Sequence, residues 1–158
     1  GAFLDDPVGI DLDGLASQGV GFAAAFVARA QADADIAALV DTQGTAVAPQ
    51  LKADLLQVFD ALAGVGAEFG FRTAKEIARF MVLHKELSGT DWQYQDALDA
   101  QVVQKLMPKL HGSARKLDAV LKALDTFATQ HALVLTGEKV KRMQERLVRD
   151  GFTSFAEA

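Results

Sequence analysis

Cysteine is absent from this chain of 158 residues. Its absence excludes disulfides, thiolate metal sites and cysteine nucleophiles. No apolar run approaches the ~18 residues that a membrane-spanning helix needs, and no basic segment followed by an apolar one marks a signal peptide at the N-terminus. We therefore expect a cytoplasmic protein with no membrane partner. The start at Gly-Ala instead of Met favours a piece of a longer protein.

Positively charged residues are outnumbered, since the chain contains 16 Lys and Arg residues and 21 Asp and Glu residues. The resulting net charge of −5 gives the chain no overall attraction for phosphate, so a nucleic-acid surface would require a local basic patch. Hydrophobic residues make up 50% of the chain, which is enough for a sizeable core without disulfide or metal support.

The apolar residues recur at spacings of three and four, which predicts an all-α fold. We expect a bundle of five to seven helices with short connections and no β-sheet. Residues 1–49 are read as an N-terminal segment, irregular up to Gly21 and then Ala-rich and helical, and residues 50–158 as the helical domain. The expected helices cover residues 22–41, 50–63, 73–87, 94–107, 113–127 and 138–149.

Several residues mark where these helices begin and end. Thr73 with Glu76 has the spacing of a capping box, and Ser113 is a plausible N-cap. Pro108 should end or kink the helix before it, and the stretch around Gly44 looks like a break. Trp92 lies in a polar connection, where we expect it to form an edge of the packing.

The sequence lacks the motifs of a complete enzyme. No phosphate-binding loop, no dinucleotide-binding glycine motif and no nucleophile elbow occurs. The histidines, His84, His111 and His131, have no partner at the spacing of a metal pair, so we predict no metal site. We expect no catalysis and no bound cofactor from this chain alone.

An arginine at a predicted helix start is the first candidate site. Arg72 has a planar fork of donors that suits phosphate oxygens, and free N–H groups at a helix N-terminus add positive potential. An anion site is one interpretation. The alternative is a surface ion pair of Arg72 with Glu68 or Glu76.

A second candidate is a basic junction between two predicted helices, formed by Lys105, Lys109, His111 and Arg115. It could bind a nucleotide, nucleic acid or an acidic partner surface, or it could be a solvated junction whose leucines pack inward. A third candidate is a basic stripe on the last helix, with Lys139, Arg142, Arg146 and Arg149 at spacings of three and four. The stripe has two alternative interpretations, a solvated helix face and a surface that contacts the DNA backbone.

Four segments together resemble the C-terminal helical region of McrB-like AAA+ NTPases, which are relatives of the 5-methylcytosine-specific restriction enzyme B. They are Phe69–Phe80, Ala97–Leu117, Lys139–Leu147 and Gly151–Phe155. The resemblance covers about residues 50 to 158, and its most specific part is Gln101–Leu117.

The resemblance implies a lid that packs beside a nucleotide-binding core in the same protein. The core would bind ATP or GTP with Mg²⁺, and this chain lacks its motifs. Lids of this class supply an arginine from a helix start toward the terminal phosphates, and Arg72 is the position that matches. Neighbouring subunits of a ring, a nuclease subunit and DNA are the implied partners. The alternatives are a helical nucleic-acid-binding module and a structural protein-interaction domain.

Overall fold

The computed structural model describes residues 12–158, with the side chains from residue 21 onward. This part of the chain contains six α-helices, so the all-α prediction is confirmed. They are α1 (Leu12–Ala34), α2 (Val47–Ala63), α3 (Phe71–Ser88), α4 (Tyr94–Gln101), α5 (Ala114–His131) and α6 (Val134–Asp150). A 3-10 turn covers Gly89–Asp91, and a π-helical turn, Val102–Leu106, follows α4 directly.

The chain divides into two compact units. The first unit extends to Asp60 and continues with Phe69–Tyr94. Three phenylalanines form part of its core: Phe26 from α1, Phe59 from α2 and Phe69 just before α3. Their ring centroids lie 5.4 to 6.3 Å apart in edge-to-face pairs. This geometry is favourable for aromatic rings, because a positive ring edge meets a negative ring face.

The link between α1 and α2 is a tight loop held by one carboxylate. Asp41 accepts hydrogen bonds from the backbone N–H groups of Gln43 and Thr45, at 2.8 and 2.9 Å. Gly44 has a φ of +80°, which favours glycine. The break that the sequence predicts at this point is confirmed.

The second unit comprises Ala61–Glu68 and Gln95–Ala158. Helices α5 and α6 pack against each other through buried residues such as Leu121, Leu124 and Met143. Two short strands, β1 (His111–Ser113) and β2 (Phe152–Ser154), pair in an antiparallel ladder. The expectation of no β-sheet is therefore wrong for these six residues. Periodicity could not reveal the pair, since each strand has only three residues.

The ends of several helices also differ from the sequence-based expectation. Helix α1 begins at Leu12 and ends at Ala34, earlier at both ends than expected, and residues 1–11 lie outside the described part of the chain. Helix α3 begins at Phe71 after Gly70, without a side-chain cap. The capping box at Thr73 is therefore wrong, because Thr73 already lies inside the helix.

Other local predictions are confirmed. The hydroxyl of Ser113 accepts a hydrogen bond from the N–H of Lys116 at 3.4 Å, as expected of the N-cap of α5. The helical stretch before Pro108 ends at Leu106. The first helix of the 50–158 region ends at Ala63, shortly before Gly66, whose φ is +69°.

Candidate functional site

Arg72 lies in the first turn of α3, on the surface of the first unit. Gly70 precedes the helix with an extended backbone, and no side chain caps this N-terminus. The first turn contains no acidic residue. Within the described residues, Arg72 has no hydrogen bond or ion pair, so the pairing of Arg72 with a nearby glutamate is not realised in this structure.

Two further cations lie beside this helix start. The guanidinium of Arg29, from α1, lies 4.9 Å from the centroid of the Phe71 ring. The ammonium of Lys75, one turn along α3, lies 5.9 Å from the same centroid. We call Arg29, Phe71, Arg72 and Lys75 the α3 N-terminal site. It combines three cations with the positive end of an 18-residue helix, which is an arrangement suited to an anion.

Sequence reasoning found Arg72 but missed Arg29. Arg29 is 43 positions away in sequence, and it reaches the site because α1 packs against α3. Its contact is a cation–π interaction with Phe71, which holds the guanidinium in place without a carboxylate. No local pattern at Arg29 indicates this role.

The basic junction lies in the second unit, and its members are exposed. Lys105 belongs to the π-helical turn, Lys109 to the connection before β1, His111 to β1, and Arg115 to the first turn of α5. The strand pairing brings this junction beside the end of α6, since the N–H of Ala114 donates to the carbonyl oxygen of Gly151 at 3.2 Å.

Gly112 is a required glycine in this junction. Its φ is +145°, and a Cβ at this position would lie 2.8 Å from Cδ of Lys116. The alkyl chain of Lys116 therefore lies directly over the glycine. Any larger residue would have to displace that chain and would also adopt a strained backbone.

Most of the basic stripe on α6 has partners within the chain. The ammonium of Lys139 donates to the carbonyl oxygen of Ala158 at 2.7 Å and lies 4.4 Å from the centroid of the Phe155 ring. Arg146 lies 3.9 Å from the carboxylate of Glu157. The last segment of the chain thus covers part of the stripe and reduces the charge available to an external anion.

Charge interactions within the stripe also shift pKa values. Burial lowers the pKa of Lys139, and the positive charges of Arg142 and Arg146 lower it further. At the other end, Arg149 donates two hydrogen bonds of 3.1 Å to Asp150. These bonds raise the pKa of Arg149 and lower that of Asp150. Arg142 is exposed.

Two buried polar clusters were not predicted from the sequence. In the first unit, the Tyr94 hydroxyl donates to Asp54 at 2.7 Å, and the Trp92 indole donates to Nδ1 of His84 at 2.7 Å. Trp92 is fully buried, so it belongs to the core and not to the edge of the packing that the sequence predicts. Burial, the charge of Asp54 and the hydrogen bond to it raise the pKa of Tyr94.

In the second unit, Asp99 of α4 caps the start of α6. Its carboxyl oxygens accept from the N–H of Leu135 at 2.7 Å and the N–H of Thr136 at 2.8 Å. They also accept from the Thr136 hydroxyl at 2.7 Å. Leu133, the N-cap residue, offers no side-chain hydrogen bond. A carboxyl group from a distant helix therefore performs the capping.

Neither cluster has the composition of a metal site. Among the described residues, no group of three or more His, Asp or Glu side chains is placed to hold a metal ion. Nor does any helix in that part of the chain have the length and apolarity needed to cross a membrane.

Comparison with known proteins identifies a family and no further relative. Neither the curated proteins nor the solved structures contain a match to this chain. Residues 25–152 match the family model described as "Domain of unknown function (DUF8727)", which covers most of the chain. The chain therefore belongs to this family.

Proposed function

We propose that this chain is the helical lid of a McrB-like AAA+ NTPase, and that it presents Arg72 to the terminal phosphates of a bound nucleotide. ATP or GTP, with Mg²⁺, would be bound by a separate nucleotide-binding core of the same protein. The proposal extends to neighbouring subunits of a ring, a nuclease subunit and DNA as partners, and to the cytoplasm as the location. The chain itself would not be catalytic.

The observation that supports this proposal most directly is the state of Arg72. Arg72 is exposed at an uncapped helix start, and it forms no hydrogen bond or ion pair with any residue that the structure describes. An arginine that stabilises this surface through an ion pair would have a carboxylate beside it. Arg72 instead follows Phe71, whose ring is contacted by the cations of Arg29 and Lys75. An anion bound at this helix start would be attracted by the positive charge of all three.

The chemical role of Arg72 would be electrostatic. Negative charge moves onto the phosphate oxygens in the transition state of phosphoryl transfer. A guanidinium that is already oriented stabilises this charge without further rearrangement. The chain supplies no nucleophile and no base in this scheme, so the remaining groups belong to the core.

The test is hydrolysis of ATP and GTP by the natural protein that contains this segment. Arg72→Ala should lower kcat by about 10- to 1000-fold with an unchanged fold, because the side chain is exposed. Arg72→Lys should recover only part of the activity, since an ammonium lacks the fork of donors. Arg79→Ala is the matched control, because Arg79 is an exposed arginine two turns along the same helix.

Unchanged turnover in Arg72→Ala would refute the proposed role. An equal loss in Arg79→Ala would also count against it, since the effect would then reflect the charge of α3 in general. The presence of a core in cis can be measured separately, by intact mass and peptide mapping of the natural protein. A natural chain of about this size would contradict a lid in cis, whereas a longer chain with a phosphate-binding loop would support it.

A further inference from the structure

The β1–β2 ribbon has one exposed face that carries an aromatic ring. Residues directly opposite one another in an antiparallel pair point to the same face. The pairs His111–Ser154 and Ser113–Phe152 therefore share one face, and Gly112 with Thr153 occupies the other. Thr153 is fully buried, whereas the Phe152 ring is 49% exposed. The ribbon thus exposes a large apolar ring on the same face as His111.

Unpaired cations lie next to both ends of β1 in the chain. Lys109 lies just before β1, and Arg115 and Lys116 lie just after it, all three exposed. Within the described part of the chain, none of the three has an ion pair with a carboxylate. Residues 100–117 contain no Asp or Glu at all. The charges of these three cations are therefore exposed to solvent, whereas Arg146 and Arg149 have carboxylate partners.

Two of these cations occupy an unfavourable position within the chain itself. Arg115 and Lys116 lie in the first turn of α5, which contains no acidic residue. The positive end of a helix repels cations, so this placement lowers the stability of the isolated helix. A local conflict of this kind, without a compensating contact, is typical of a surface that meets a ligand. The ligand that would relieve it is an anion.

We propose that this surface, Lys109, His111, Arg115, Lys116 and Phe152, binds single-stranded nucleic acid. Phosphates would contact the three cations, and one base would stack on the Phe152 ring. An exposed aromatic ring beside cations is the combination that single-strand binding uses, because every base has a π-face and every nucleotide has a phosphate. An acidic protein surface would satisfy the cations but would leave the ring without a stacking partner.

The experiment is fluorescence anisotropy of labelled oligothymidylate of about 15 nucleotides, with the whole chain. At about 50 mM salt we expect a dissociation constant on the order of 10 to 100 µM, since the net charge of −5 opposes binding. Three neutralised phosphates predict a slope of about −2 for log K against log salt. No binding at about 50 mM salt would overturn the proposal.

Two substitutions separate the roles of ring and charge. Phe152→Leu should weaken binding by about fivefold or more and leave the salt slope unchanged. Phe152→Tyr, which keeps an aromatic ring, should bind as tightly as the unsubstituted chain. Arg115→Ala should weaken binding and reduce the slope by about 0.7. The matched controls are Val148→Ala, at an apolar side chain that is 90% exposed on α6, and Lys122→Ala, at an exposed cation on α5.

This surface lies in the second unit and Arg72 lies in the first, so the proposal does not depend on the nucleotide role. A duplex of equal length and polyglutamate serve as the competing partners. Equal affinity for the duplex, with no effect of Phe152→Leu, would overturn the proposal in favour of a backbone contact with double-stranded DNA. Tighter binding of polyglutamate would overturn it in favour of an acidic protein partner.

Discussion

Helix α6 depends on a single carboxyl group from another helix, and removing that group is the most informative perturbation of the second unit. Asp99 is 6% exposed, and the Thr136 residue that it holds is fully buried. Asp99→Ala would remove the acceptors of the N–H and the hydroxyl of Thr136, which are both closed to solvent in this structure. The N–H of Leu135 would also lose its partner, but Leu135 is 51% exposed, so water can replace that bond.

The expected cost follows from these contacts. Each buried donor left without a partner costs about 1 to 3 kcal/mol, and loss of a helix cap costs about 1 kcal/mol. Because these terms overlap, we expect Asp99→Ala to lower the free energy of unfolding by about 3 kcal/mol. Asp99→Asn keeps one acceptor oxygen but turns an NH₂ group toward a donor, so about 1 to 2 kcal/mol should be lost.

The assay is urea unfolding followed by far-UV circular dichroism, with the slope against urea compared between variants. Asp96→Asn is the matched control, since Asp96 is exposed on the same helix and should change stability by less than about 0.5 kcal/mol. A loss below about 1 kcal/mol for Asp99→Ala would refute the reasoning. Hydrogen exchange at Thr136 gives a second reading, because an uncapped α6 should open locally.

Three further predictions concern single residues. Tyr94 is the only tyrosine of the chain, and burial, then the charge of Asp54 and the hydrogen bond to it, raise its pKa. Above pH ~10 the Tyr94 hydroxyl therefore ionises only in the unfolded state. The free energy of unfolding should fall there by up to about 1.4 kcal/mol per pH unit. Tyrosinate absorbance that appears before unfolding would contradict this. Gly112→Ala should lower the free energy of unfolding, measured in urea, by about 1 to 3 kcal/mol. Shortening Lys116 in the same variant should recover only the part of this loss that comes from the steric clash. Full recovery would refute a contribution from backbone strain. Trp92 is the only tryptophan and is fully buried, so its emission should be blue-shifted and poorly quenched by acrylamide, and quenching like that of free tryptophan would contradict its burial.

Local features of the fold could be predicted from the sequence. The cap at Ser113 and the stop before Pro108 each depend on residues within about four positions. The Asp41 loop has the same local character, since its carboxylate bonds to backbone groups two and four residues ahead. Helix-forming periodicity is local for the same reason.

The start of α6 illustrates why other boundaries were missed. We expected a helix from residue 138, with Thr136 in the connection before it, but α6 begins at Val134. Its N-cap residue has no capping side chain, and the acceptors come from Asp99, 36 and 37 positions away. A cap from another helix leaves no signal in the neighbouring sequence.

The helical fold, the position of most helices and the place of Arg72 at a helix start all follow from local sequence patterns. Which cations remain free of a carboxylate partner depends instead on the tertiary fold. Arg146 lies beside Glu157, and Arg29 contacts the Phe71 ring next to Arg72 because α1 packs against α3. Helix formation follows from neighbours within one or two turns, whereas the pairing of charges depends on which distant segments the packing of the core brings together.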